Sequence, residues 1–382
     1  MNISRIETFR ILPRWLILRI ETDDGYVGWG EPVVEGRAAT SEACVHELES
    51  YLIGRDPRNV ESIWQTIYRG GFYRGGPVLT SALSGIDQAL WDIKAKALGV
   101  PIHALLGGNV RDKMEVYSWI DSETPEIAAR SALEKKAMGF RNIKMFGTGA
   151  TGWINDRRAM DDLLERVQAV RDAVGPQFGI AIDFHGRAHQ GTARTLLREL
   201  EPMKILFVEE PVLVENLDAF EQLHRFTSIP LATGERNFTR WGFKDMLERG
   251  CVDIIQPDLC HAGGISEVRR IAAMAEMYDV ALAPHCPLGP IALAACFQID
   301  FACVNACIQE QSIGMAYNKG QELSAYLKDN EVFRYRDGFV ELMDKPGLGI
   351  EVDEEIIRGR DDKTLQWKSP VFYQEDGCVT EW

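Results

Sequence analysis

The alternation of apolar and polar positions changes character partway along the chain. In the first thirty residues "ISRIETFRIL" and "WLILRIETDDGYVGWGE" alternate with a period of two, and Asp24-Gly25 supplies a hairpin turn. The spacing then becomes helical in "SEACVHELESYL", "NVESIWQTIYRG" and "TSALSGIDQALWDIKAKALG", the last closing at Gly99 before Pro101. Residues 1–113 therefore read as a small α+β domain, strands first and helices after.

From Met114 short apolar runs alternate with amphipathic helices. The runs are "MEVYSW", "FRNIKMF", "FGIAIDF", "ILFVEE", "IPLATGE", "VDIIQPD", "DVALAPH" and "FACVNACIQE". Six of them end in polar residues at Asp183, Glu209, Glu235, Asp258, His285 and Glu310, at intervals of 26, 26, 23, 27 and 25 residues. A period of about 25 residues is one strand, one helix and two loops, so residues 114–325 predict a (β/α)8-type barrel of the α/β class, with its active site at the C-terminal strand ends. No nucleotide-binding glycine loop, G-x-G-x-x-G or G-x-x-x-x-G-K-[ST], supports a doubly wound alternative. The Gly-Gly of "HAGGIS" reads as a tight βα turn. Residues 326–382, rich in Pro and Gly and lacking the barrel period, are expected to pack back on the small domain.

Composition narrows the partners. A net charge of −15 disfavours nucleic acid, yet an acidic surface still admits an anionic ligand, because a bound divalent cation reverses the field within one pocket. Arg5, Glu7, Arg10, Arg14 and Arg19 interrupt the apolar N-terminal stretches, which fits neither a signal peptide nor a membrane span. A soluble cytoplasmic protein is expected. The eight cysteines contain no C-x-x-C pair and read as structural.

Asp183, Glu209 and Glu235 end three consecutive strands, so a barrel brings them side by side on one rim. Three converging carboxylates repel one another, and a hard divalent cation with oxygen ligands resolves this, leaving about three of six octahedral Mg²⁺ positions for water and substrate. Asp258 and His285, on the next two interior strand ends, suit a proton-abstracting dyad: the carboxylate fixes the tautomer and raises the basicity of the other ring nitrogen. Asp183 and His185 are two residues apart, which on a strand places both on one face. Glu210 should point away from the metal ligands. His46, His103, His189, His224 and His261 read as surface or packing residues.

The ordered strand ends "DFH", "VEEP", "GER", "QPD" and "PHCPLGPIALAA" resemble the enolase superfamily, mandelate racemase subgroup, and the chain is similar to the bacterial D-galactonate dehydratases within it. The likeness runs from "PRWLILRIETDDGYVGWGEPVVEGRA" through "GFYRGGPVLTSALSGIDQALWDIKAKALG" to "IQEQSIGMAYNKG" and the terminal "EW". It implies a modified TIM barrel under an N-terminal cap, and an Mg²⁺-dependent hydro-lyase that removes the C2 proton and 3-hydroxyl of an aldonate to give a 2-keto-3-deoxy acid. It further implies Mg²⁺ on Asp183, Glu209 and Glu235, His285 with Asp258 as base, His185 as general acid, Glu310 as the group that hydrogen-bonds the enediolate, and a homo-oligomer. An epimerase or racemase with His185 and His285 as opposed bases, and a non-catalytic sugar-acid binding protein, are the alternatives.

One position departs from the family pattern. Many members carry a second base as the last Lys of K-x-K on the second barrel strand; here "IKMFG" places Lys144 first and Phe146 last, where the D-galactonate dehydratases carry Asn. Phe146 cannot move a proton, which favours one-base elimination over two-base racemisation. It also removes a hydrogen-bonding group beside the substrate, where discrimination between sugar acids would be set. Lys144 is a candidate substrate contact, as are Arg37, Tyr73 and Arg74 on the loops "GRAATSE" and "YRGGFYRGG", which the resemblance implies reach over the barrel mouth.

Overall fold

The computed structural model describes residues 1–382 apart from 155–156, 314 and 319–321. The first sheet is an antiparallel meander of β1 (Ile3–Ile11), β2 (Trp15–Thr22) and β3 (Val27–Gly30). Its β2–β3 turn contains Gly25 at φ 88°. Helices α1 (Ala38–Glu47), α2 (Val60–Gly70), α3 (Pro77–Leu98) and α4 (Ile102–Leu105) follow. Gly99 closes α3 in the left-handed region at φ 68°, as its sequence position predicts. Leu18, Ile20, Val45, Leu52, Ile63, Ile86 and Leu90 form the core between this sheet and its helices.

Eight parallel strands then form the barrel: β4 (Lys113–Trp119), β5 (Asn142–Phe146), β6 (Gly179–Asp183), β7 (Phe207–Glu209), β8 (Leu231–Thr233), β9 (Ile254–Ile255), β10 (Ala281–Leu282) and β11 (Gln309–Gln311). β11 pairs with β4, and Leu282 exchanges backbone hydrogen bonds with Asn305 and Cys307, so the curl closes. The intervening helices are α5 (Pro125–Ala137), α6 (Arg157–Val174), α7 (Gln190–Leu200), α8 (Leu217–His224), α9 (Thr239–Arg249), α10 (Gly264–Glu276) and α11 (Pro290–Ala302). The barrel is modified at its end. Among the described residues no α-helix directly follows β11; short 3-10 turns at Ala316–Asn318 and Leu323–Tyr326 take that place.

Two boundaries differ from the sequence reading. Phe301 and Ala302 belong to α11 rather than to a strand, because their side chains continue the fully buried face of that helix. After the barrel, β12 (Phe339–Glu341) pairs antiparallel with β4, so part of the last segment joins the barrel. The remainder packs on the first domain: α12 (Glu354–Gly359) places Arg358 on Glu7, and Lys363 bonds Glu42 and the Thr8 carbonyl. Among the described residues no helix is long and apolar enough to cross a membrane.

The first domain is bolted to the barrel through α3 and Trp64 of α2. Asp87 accepts from the Ser266 backbone N–H at 2.9 Å and its hydroxyl at 2.5 Å, capping α10. Trp64 donates to Gly263 O, Gln88 to Leu259 O and Trp91 to Ser266 Oγ. The Gly-Gly turn read from the sequence is needed here: Gly263 and Gly264 have φ 115° and 78°, and a Cβ on Gly264 would lie 2.5 Å from Asp87 Oδ2. Glu31 accepts from Gly289 N and Ala292 N at the start of α11, tying β3 to the last barrel helix in the same way.

Two outcomes follow from this packing. A Cβ on Gly30 would meet the Gly85 carbonyl oxygen at 1.9 Å, backbone against backbone. Gly30→Ala should cost roughly 1–3 kcal/mol or more, read as a lower urea midpoint at unchanged slope. Burial pushes the Asp87 carboxyl up to about 7, against the hydrogen bonds from Ser266. The folded chain then holds a proton that the unfolded chain has lost above about pH 4, so this group's contribution falls as pH climbs from about 4 through 7. Asp87→Asn should flatten that part of the stability–pH profile, and an unchanged slope would remove Asp87 as its source.

Candidate active site

The interior of the barrel is built in layers by strand alternation. Tyr117, Ala181, Phe207, Ala232, Ile254, Ala283 and Ile308 pack together as an apolar floor. Two residues farther along each strand or its continuation, the inward positions are Trp119, Asp183, Glu209, Gly234, Gln256, His285 and Glu310. On β5 the same two layers hold Lys144, in register with Ala181, and Phe146, in register with Asp183, so the carboxylates stand one layer above a floor that is apolar except for Lys144. Glu235 joins them because Gly234, at φ 148°, turns the end of β8; a Cβ there would lie 2.7 Å from Gln256 N.

Asp183, Glu209 and Glu235 each present an oxygen within 4.8 Å of the others. Asp183 and Glu209 are buried, and Asp183 Oδ2 and Glu209 Oε1 have no hydrogen-bond partner among the described residues. Burial and then the neighbouring carboxylates push Glu209 up to about 8, while burial, offset in part by Lys144, pushes Asp183 up to about 6. Orphaned buried oxygens and mutual repulsion fit a hard cation with oxygen ligands at this point.

Lys144, expected at the substrate, lies instead beneath the carboxylates. Its inward position on β5 buries it fully, with Nζ 2.7 Å from Glu209 Oε2, 2.7 Å from Glu310 Oε1 and 3.6 Å from Asp183 Oδ2. Burial would lower its pKa, but Glu209 and Glu310 outweigh that and hold it well above the ordinary lysine value. Glu310 is committed on both oxygens, Oε1 to Trp119 Nε1 and Lys144, Oε2 to Cys286 N. Glu210 points away from the metal ligands, but through a left-handed turn at φ 41° past the end of β7 and not through alternation, and takes Arg236 in a two-pronged ion pair at 2.7 and 3.1 Å.

Asp258 and His285 meet as the sequence predicts. Asp258 Oδ1 accepts from Cys260 N, and Oδ2 lies 2.8 Å from His285 Nδ1. His285 Nε2 lies 2.8 Å from Glu235 Oε2. Burial would depress this imidazole, but Glu235, Glu310 and the hydrogen bonds raise it well above its usual value, and His285 in turn holds Glu235 below the ordinary carboxylate range.

His185 reaches the same rim by a different route from the one its spacing suggests. β6 ends at Asp183, and His185 adopts φ 50°, so a left-handed turn rather than strand alternation aims it. Its N–H donates to Asp183 Oδ1 at 2.8 Å, and Nε2 lies 3.3 Å from Asp183 Oδ2. Burial lowers its pKa to about 3. β6 and β10 are four strands apart in an eight-stranded ring, which sets His185 opposite His285 across the carboxylates.

These groups open on a cavity of about 230 Å³ whose wall includes Phe146, His185, Glu235 and His285. Sequence reasoning missed several of the other wall residues. Arg14, from the β1–β2 turn, lies 3.8 Å from Glu35 and under the rings of Tyr317 and Trp367. His261, read as a surface or packing residue, is buried in the wall, with Nδ1 2.9 Å from Ser81 Oγ and Nε2 3.4 Å from Glu35. Trp367 and Trp382 arrive from the last segment. No sequence pattern marked them, since long-range return of a coil leaves no periodic signal. Arg37 lines an adjoining cavity of about 720 Å³ that shares Arg14, Glu35 and Trp382 with the first. Tyr73 and Arg74 are not brought to either; they line a separate cleft beside Tyr51 and Tyr68, because their loop follows the outer end of α2.

Comparison with known proteins matches both parts of the chain. The model of the mandelate racemase / muconate lactonizing enzyme N-terminal domain matches residues 9–107, and the enolase C-terminal domain-like model matches residues 127–356. The chain is 52% identical to the D-galactonate dehydratase of Ralstonia pickettii over 384 residues and 52% identical to that of Pectobacterium atrosepticum over 382, with all of each chain covered. An enolase structure from Agrobacterium radiobacter, bound to sodium and L-malate, superposes with a TM-score of 0.92 at 32% identity over all of both chains. An enolase-superfamily member from Salmonella Typhimurium gives 0.86 at 32%, covering 94% of this chain and 97% of its own. From its cap to its barrel, this chain belongs to the enolase superfamily, in the mandelate racemase / muconate lactonizing enzyme group.

Proposed function

We propose that this protein is an Mg²⁺-dependent hydro-lyase that dehydrates an aldonate, D-galactonate foremost, to its 2-keto-3-deoxy acid. The observation that carries the reading is the opposition of His285–Asp258 and His185 across three converging carboxylates. Full-length relatives named D-galactonate dehydratase support the reaction and the substrate. Phe146 at the end of β5 supports elimination over racemisation by a strand-end lysine, and leaves His185 as the group opposite His285.

Asp183, Glu209 and Glu235 would hold the cation. When bound, it supplies positive charge to the substrate carboxylate as the C2 proton leaves. His285 takes that proton through Nε2, while Asp258 on Nδ1 fixes the ring and stabilises its charged form. Nε2 faces Glu235 here, so engagement of Glu235 elsewhere frees the base. His185 donates a proton to the departing 3-hydroxyl from the opposite side, which requires that bound substrate first raise the ring's pKa from the low value burial gives it here, so that it enters the step as imidazolium. Glu310 would reach a developing enediolate only by exchanging a bond to Trp119, Lys144 or Cys286. Lys144 opposes the protonation that burial favours in Asp183 and Glu209 and holds them close, acting beneath the site and not on the substrate.

Exhaustive chelation should abolish keto-acid release, and Mg²⁺ or Mn²⁺ should restore it; full turnover after chelation would rule the cation out. The two histidines should separate by isotope. His285→Asn should lower both dehydration and exchange of the C2 proton with solvent deuterium by on the order of 10²- to 10⁴-fold. His185→Asn should lower dehydration alone and leave exchange in place. Exchange that survives in His285→Asn would assign the base to another residue.

A further inference from the structure

The last segment supplies a ring to the very side chain that the proposed reaction uses as acid. His185 sits in an aromatic enclosure. Phe146 stacks on its imidazole at 5.5 Å and 25°, Trp119 lies at 6.1 Å and 25°, and Trp382 meets it edge-on at 5.2 Å and 74°. Phe146 and Trp119 come from barrel strands. Trp382 comes from residues that fold over the barrel mouth beyond α12.

Two observations make this more than casual packing. His185 Nδ1 has no hydrogen-bond partner among the described residues, so no polar bond at that nitrogen fixes the ring; its orientation rests on Asp183 and the surrounding aromatics. The turn that carries His185 also carries the clamp for the tail. Arg187 donates to Thr148 O at 3.0 Å, and its guanidinium lies 4.6 Å from the Phe372 ring and 5.4 Å from that of Trp382. Acid and tail are therefore fastened to the same few residues.

We propose that Trp382 is a positioning residue for the general acid: its ring holds the His185 imidazole in the orientation from which the 3-hydroxyl is protonated. The inference rests on the dehydratase reading above. Trp382 acts through His185 and has no part in proton removal at C2, so its loss should divide the two half-processes.

The test measures C2 proton exchange with deuterium and keto-acid release on the same Mg²⁺-loaded samples. At saturating aldonate, Trp382→Ala should slow keto-acid release by roughly tenfold to a hundredfold more than it slows exchange, the scale on which small misplacements act. Trp382→Phe should recover most of the lost release, because a phenyl edge can still meet the imidazole. Equal loss of exchange and release in Trp382→Ala would make the residue a general part of the binding wall and overturn the proposal. So would unchanged release, or a Phe variant as poor as Ala. If Trp382→Ala does not fold, Trp382→Leu carries the same comparison, since leucine fills the volume without an aromatic edge. Unaltered protein that neither exchanges nor eliminates with any aldonate would instead refute the dehydratase reading, so the two failures are distinct.

Discussion

The gathering of like charges at the top of the barrel is the constraint around which the rest is arranged. Strand alternation leaves Asp183 and Glu209 no choice but to face inward once Ala181 and Phe207 form the floor. Their burial is tolerable because one cation lies below them: Lys144 touches Glu209 and Glu310 at 2.7 Å and stands within 3.6 Å of Asp183. A buried ion cluster of this kind contributes little net stability, since desolvation offsets much of the attraction. Its consequence is geometric. It fixes the carboxylates from beneath, behind the cavity wall that Glu235, His185 and His285 form.

The first domain and the last segment complete what the barrel begins. α3 caps α10 through Asp87 and orients His261 through Ser81, and Glu31 caps α11 just beyond His285. The β1–β2 turn contributes Arg14, and the last segment contributes Trp367 and Trp382. The barrel thus holds the charged chemistry, while the wall farther from it is assembled from three distant parts of the sequence. A substrate's reactive end and its remaining carbons would meet different kinds of surface, one carboxylate-rich, the other aromatic with Arg14 and Glu35.

Two residues at the barrel rim carry left-handed backbone. His185 and Glu210 are non-glycine residues at φ 50° and 41°, on adjacent strand ends. Each is held by a specific bond, His185 N to Asp183 and Glu210 to Arg236. Left-handed backbone in such residues costs energy that the surrounding structure must supply. Here it aims one side chain into the cavity and turns the other away from it.

The chain's own order determined the repeating strand–helix unit, the cap that precedes it and the rim on which Asp183, Glu209, Glu235, Asp258 and His285 stand, because each depends on local period and on spacing of about 25 residues. Spacing also placed His185 at the rim, though for the wrong reason: period-two alternation does not survive the end of β6, and the left-handed turn that aims the ring is fixed by contacts with Asp183 and Arg187's neighbours. Lys144 looked like a substrate contact because sequence gives the face of a strand but not the depth within a barrel. His261, Arg14, Glu35 and Trp382 carried no periodic signal; they reach the site through loops and a returning coil whose paths are set by docking between domains. Tyr73 and Arg74, polar and on a loop of plausible length, lie elsewhere for the same reason. Local pattern specifies which residues share a face, and only tertiary packing decides which faces meet.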